Sequence, residues 1–184
     1  MLSNVSFYEK CTSKNIAELI NLLETKFETS SGWNLKEVNV SEIIPLCKYV
    51  YDERLKFAQI SISNCKQYNI PLFYPYVVHY DNGDEQFVVP PIVEERNQLL
   101  YLGDGMHRIY SLLELNVSTA FVLVTHECIL PFPGKPQMWH NVKRNPVQLP
   151  CCMNFENYLE KGLTGYSKFC NSNIFRRFSE GEHE

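Results

Sequence analysis

With 184 residues, 45% of them hydrophobic and 21% charged, the chain suits one core with an appended segment and is too apolar for a disordered polymer. Its 21 acidic and 17 basic side chains give a formal charge of -4, against a large electrostatic footprint on DNA, whose binders concentrate Lys and Arg. No apolar run nears the roughly 18 residues that span a bilayer, the first ten residues lack a signal-peptide pattern, and the seven cysteines, odd in number and without a C-x-x-C pair, read as reduced thiols. The expectation is a cytoplasmic protein with no membrane partner.

In chain order, Ile16, Leu19, Ile20, Leu23 and Phe27 recur at helical spacing, so residues 13–28 are expected to form an amphipathic helix capped by Thr12 or Ser13. Beyond the Ser30-Ser31-Gly32 break, residues 35–40 alternate as a strand, and Ser41 begins a short turn that stops at Pro45. Asp52 is read as the cap of a second long helix running to about Tyr68, with Leu55, Ala58, Gln59 and Ile62 on one stripe, ended by Asn69-Ile70-Pro71. Residues 76–80 and 87–96 then read as strands around the turn Asp81-Asn82-Gly83-Asp84, and residues 99–102 follow a second turn at Asn97-Gln98. These strands are expected to share one sheet, with Pro90 and Pro91 confining their segment to an edge or delaying its pairing. Residues 105–115 form the next helix, Asn116 suits its end, and residues 119–125 supply another strand.

From residue 129 to 150 five prolines and little periodicity suggest a long wrap over the domain. Residues 155–161 and 165–178 are read as short C-terminal helices. The organisation expected is an N-terminal helix in 1–34 packing on the core, an α/β (α+β) core in 35–128 with a small mixed sheet flanked by helices, and a proline-rich wrap with short helices in 129–184.

The stretch that carries chemistry is Gly103-Asp104-Gly105-Met106-His107-Arg108, where a strand passes through glycines into a helix. Amides of a first helical turn and the helix dipole together favour an anion, and Arg108 adds a permanent bidentate donor. Met106 falls on the apolar face with Ile109, Tyr110 and Leu113, while His107 is left near the mouth of the turn. Asp104 is a candidate acid-base group, or the N-cap of the helix. His107 is either a phosphate donor and proton carrier or a histidine held by a backbone carbonyl. Glu94 and Glu95 alternate on the preceding strand, so only one can face a pocket, with Arg96 on the side of Glu94.

The G-D-G-M-H-R run resembles the G-x-H-R signature of the ParB/sulfiredoxin superfamily, in its D-G-x-H-R form. The family's order of a strand with an I-I-P-like turn, a helix, a P-P-I-V-like strand, the G-x-H-R helix and a final strand can be laid on residues 38–124, about half the chain. The resemblance implies a nucleotide-binding fold in which Gly103, Gly105, His107 and Arg108 hold nucleotide phosphates. Family reactions range over CTP hydrolysis coupled to DNA clamping, ATP-dependent repair of a cysteine sulfinic acid and phosphorylation of free serine. Met106 stands where sulfiredoxins carry their reactive cysteine, and residues 129–184 offer no convincing helix-turn-helix, which argues against both of the first two.

What remains is a nucleotide-dependent phosphotransferase or nucleotide hydrolase using ATP, ADP or CTP with Mg2+, acting on a small-molecule phosphate acceptor. Asp104, His107 and Glu94 are its candidate catalytic residues. Its rival is a non-catalytic nucleotide-sensing or nucleic-acid-associated adaptor, with the nucleic-acid version disfavoured by the acidic balance. Aromatic segments 73–80 and 132–139 could instead dock a protein partner, and Lys143-Arg144 reads better as a solvated basic pair than as a clamp on the nucleotide. A zinc site from His126, Cys128, His140 and Cys151 or Cys152 has the ligand types but no diagnostic spacing, so no metal ligands are assigned.

Overall fold

Local chemistry sets the start of the first helix. In the computed structural model, which describes residues 5–29, 32–127, 136–145 and 176–177, extended Thr12 precedes α1 (Ser13–Phe27). Its hydroxyl accepts the Asn15 amide, and the Asn15 carboxamide oxygen accepts the Thr12 amide. Leu19, Leu23 and Phe27 are buried along one face, and the helix ends where Glu28 turns left-handed at φ 56°.

Among the described residues the fold is α+β. The five-stranded sheet runs β2 (Asn34–Asn39), β9 (Thr119–Thr125), β7 (Ile92–Arg96), β8 (Leu99–Asp104), β3 (Ile43–Ile44). It is mixed: β7 lies parallel to β9 and antiparallel to β8, while β3 is parallel to β8. A second, antiparallel sheet runs β1 (Val5–Lys10), β5 (Tyr76–Tyr80), β6 (Glu85–Val88), β11 (Arg176–Arg177). A parallel ribbon joins β4 (Tyr49–Tyr51) to β10 (Lys143–Asn145).

Side-chain alternation puts a core on each face of the five-stranded sheet. Ile92 and Leu123 join Leu19, Leu23, Phe27 and Trp33 on the α1 face, together with Val77 and Phe87 from the second sheet. Val93, Leu102, Val122 and Val124 face the other way, where they meet Ile62 of α2 (Asp52–Gln67) and Ile109 and Leu112 of α3 (Met106–Glu114). The segment 136–145 crosses β4. There Val142 packs with Val50 and Leu55, and the Trp139 indole donates to the Ile43 carbonyl at 2.6 Å.

Several expectations are corrected. Residues 87–96 are two strands in two sheets, because Pro90 and Pro91 have no ladder donor and the chain crosses between sheets there. Asp52 is the first residue of α2, not its cap: Tyr51, extended at the end of β4, is the N-cap and no side chain caps it. Gln59 is exposed, and Cys65 completes the buried stripe of Leu55, Ala58 and Ile62. Arg176–Arg177 falls where a helix was expected but pairs as a strand with Gln86 and Glu85. The helix expected at 155–161 and the rest of 165–178 lie outside the described residues.

Candidate functional site

The turn after β8 is built by two glycines with different jobs. The β7–β8 ladder pairs Val93 with Leu102 and then Ile92 with Asp104, leaving Gly103 without an opposite residue, a bulge that bends the strand end. Gly105 follows at φ +94°, and a Cβ there would stand 2.7 Å from the Pro91 Cβ. The Pro91 ring therefore packs directly on the turn, and the Pro91 carbonyl accepts the Leu123 amide at 2.9 Å. Gly105 is the N-cap of α3, no side chain caps the helix, and no acidic residue lies in its first turn. Asp104, read in the sequence as a potential cap, is instead the last residue of β8.

Asp104 and Arg108 form an ion pair one helical turn apart, Oδ2 to Nη2 at 3.1 Å, with the carboxylate 46% exposed. Arg108 also donates to the Val89 carbonyl and lies over the Phe73 ring, 5.8 Å from its centroid. The guanidinium thus ties α3 to the residues just before Pro90-Pro91 while its acidic partner faces solvent.

His107 is held by an amide, not by the backbone carbonyl considered from sequence. The Tyr51 N–H donates to His107 Nε2 at 3.0 Å, and the two rings stack at 5.9 Å. An imidazole accepting at Nε2 is neutral and carries its proton on Nδ1. Burial first, then the charge of Arg54, push its pKa down to about 4, against the opposite pull of Asp104. Tyr51 and Arg54 are the residues that sequence reasoning missed. A backbone amide at a strand-to-helix junction leaves no motif, and Arg54 reads as any exposed first-turn arginine.

Glu94 does not join this group. It is fully buried and paired with Arg96, as the alternation suggested, but it stands opposite Tyr101 and Thr125, on the face of the sheet that α1 covers. Glu95 points to the other face and pairs with Lys36 at 3.3 Å and His126 at 3.7 Å. Gly103, Asp104, Gly105, His107 and Arg108 are together; neither glutamate is with them.

No protein-family model matches the chain, and no curated protein matches it. Among solved structures, that of protein Atu1540 from Agrobacterium tumefaciens is similar at 10% identity and a TM-score of 0.34, over 73% of this chain and 51% of that one. The chain thus spans about half the length of that protein, and at this score the likeness adds nothing to the fold or the site. No described helix is long and apolar enough to cross a membrane. No group of three or more His, Cys, Asp or Glu among the described residues is placed to hold a metal. Cys128, Cys151 and Cys152, considered as zinc ligands, lie outside those residues.

Arg144 of the basic pair is engaged in the fold, its guanidinium reaching Asp52 at 2.7 Å and Glu114 at 3.4 Å, across the start of α2 and the end of α3. It is therefore a brace between two helices and not a clamp waiting over the turn.

Proposed function

We propose that this chain is a ParB/sulfiredoxin-like nucleotide-binding protein acting as a nucleotide-dependent phosphotransferase or nucleotide hydrolase, with the phosphates at the Gly103–Arg108 turn. The observation that carries this reading is the uncapped N-terminus of α3 behind a left-handed Gly105. Its first-turn amides lack the side-chain oxygen that usually takes one of them, and such amides suit a phosphate. His107, neutral and protonated at Nδ1, contributes a hydrogen-bond donor. With its pKa near 4 it is a poor proton carrier at neutral pH.

Asp104 is the carboxylate left to orient an acceptor hydroxyl or to meet Mg2+. One carboxylate with substrate phosphates is a normal Mg2+ set, so the cation would arrive with the nucleotide and neutralise phosphate charge. Arg108 has donors beyond those used on Val89 and Asp104, so it serves the turn and the ligand at once.

The burial of Glu94 with Arg96, on the face of the sheet that α1 covers, favours the rival reading. With Asp104 as the lone carboxylate of the predicted set at the turn, a nucleotide-sensing adaptor that binds without turnover fits the same residues. Calorimetry with ATP, ADP and CTP in Mg2+ tests binding, and phosphate release tests turnover. Binding is expected to fall about tenfold or more in His107→Ala, as loss of a hydrogen bond to a charged group predicts. Binding without turnover selects the adaptor. No binding of any of the three to the unmutated chain overturns both.

A further inference from the structure

Away from the Gly103–Arg108 turn, the crossing of segment 136–145 over β4 leaves a cleft of about 360 Å³ lined by Lys48, Tyr49, Gln137, Asn141 and Lys143. Two lysines, two carboxamide residues and a tyrosine line it, and among the described residues no acidic residue does. The backbone brings both lysines to the same end of the β4–β10 ribbon. The Lys143 amide donates to the Lys48 carbonyl at 2.8 Å, and Lys143 lies in register with Tyr49 in the β4–β10 ribbon.

Among the described residues neither lysine makes an ion pair, and the carboxylates of Asp52 and Glu114 near this segment are both engaged by Arg144. The concentration of positive charge runs against a chain whose acids outnumber its bases by 21 to 17. The cleft is also fixed in shape. Its far wall is anchored by the Trp139 indole on Ile43 and by the Gln137 amide on the Pro45 carbonyl at 2.8 Å, so the backbone that carries Asn141 and Lys143 is set before any ligand arrives.

We infer that this cleft binds a compact dianion, a phosphomonoester or a small dicarboxylate, through Lys48 and Lys143, with Asn141 and Tyr49 as further donors. The site goes beyond the proposed nucleotide turn and does not depend on it. The two are nevertheless near each other. Tyr49 and Tyr51 share a face of β4, about 7 Å apart by strand rise, and Tyr51 stacks on His107.

The test uses the full chain at low ionic strength, titrated with inorganic phosphate or with malonate and followed by amide NMR. Saturable shifts centred on Tyr49, Asn141 and Lys143 are expected. The double variant Lys48→Gln/Lys143→Gln should weaken binding by about tenfold or more, as loss of two charge-assisted donors predicts, whereas His107→Ala should leave these shifts in place. Phosphate alone binding identifies a phosphomonoester; malonate binding as well identifies a dicarboxylate.

Acylation of the unmutated chain with an amine-reactive acetyl ester gives a second reading by mass spectrometry, in which the bound anion should protect Lys48 and Lys143. The inference is overturned if neither anion perturbs these residues saturably, if the double variant binds as tightly as the parent, or if the shifts vanish in His107→Ala. Failure of nucleotide to bind at the turn, with the cleft still taking its anion, would sink the proposed function and leave the cleft standing.

Discussion

A methyl group added at Gly105 would stand 2.7 Å from Pro91 on a backbone at φ +94°, whereas one at Gly83, at φ +84°, would meet nothing within 4 Å. Both positions carry left-handed strain, but only the first adds a collision with a rigid ring. Gly83→Ala is therefore expected to cost about 1 kcal/mol and Gly105→Ala at least about 2 kcal/mol more. Urea melts of the two variants decide this, and equal losses would mean the Pro91 contact relaxes freely.

His107 gives a pH prediction at the same scale. Its folded pKa, near 4, lies below the ordinary 6.5, so between those values the unfolded chain holds more of the proton. Its contribution is intact above pH 6.5 and is lost as the pH falls toward 4. It is on the order of 2 kcal/mol once solvent screening is discounted. The His107 ring resonances should titrate near 4, and His107→Gln should flatten the acid limb of the stability curve. The strand, glycine and helix of this turn were legible because a β pattern stops at glycines and a helical one starts. The roles of Asp104 and Tyr51 were not, since Gly105 takes the cap position and a main-chain donor has no letter of its own.

At the scale of elements, the Glu94–Arg96 pair belongs to β7 and to the α1 face, not to the turn. Arg96→Ala takes a charged partner away from the buried Glu94 carboxylate and is expected to cost about 3 kcal/mol, at the low end for such pairs because Arg96 is partly exposed. Nucleotide affinity should be unchanged in that variant. A calorimetric loss of binding at preserved fold would mean that Glu94 reaches the site after all. The strands read with their observed ends, β5 and β9, are those rich in β-branched or aromatic residues. The strands overlooked are β3, β4 and β10, of two or three residues, and β1, an edge strand with most residues exposed. A pair of residues fits any pattern, and an edge need not alternate.

Over the whole molecule, the sequence made one sheet of the strands from β5 to β8 because Pro90 and Pro91, in Val88-Val89-Pro90-Pro91-Ile92, mark a break in pairing but not a change of sheet. Its apolar run looks continuous, and the crossing shows only in the pairing. What joins the two sheets is α1. Leu19 and Leu23 are fully buried against Val77 and Phe87 of one sheet and Ile92 and Leu123 of the other. If that shared core couples them, neither sheet can open without exposing the same side chains, and the two should lose their structure in a single step. Leu23→Ala would leave a cavity at this junction and is expected to cost about 3 kcal/mol. In native-state hydrogen exchange the slowest amides of β5 and of β9 should lose protection by the same amount. If those of β5 alone become fast while β9 keeps its protection, the sheets are separate cooperative units and α1 belongs to only one of them.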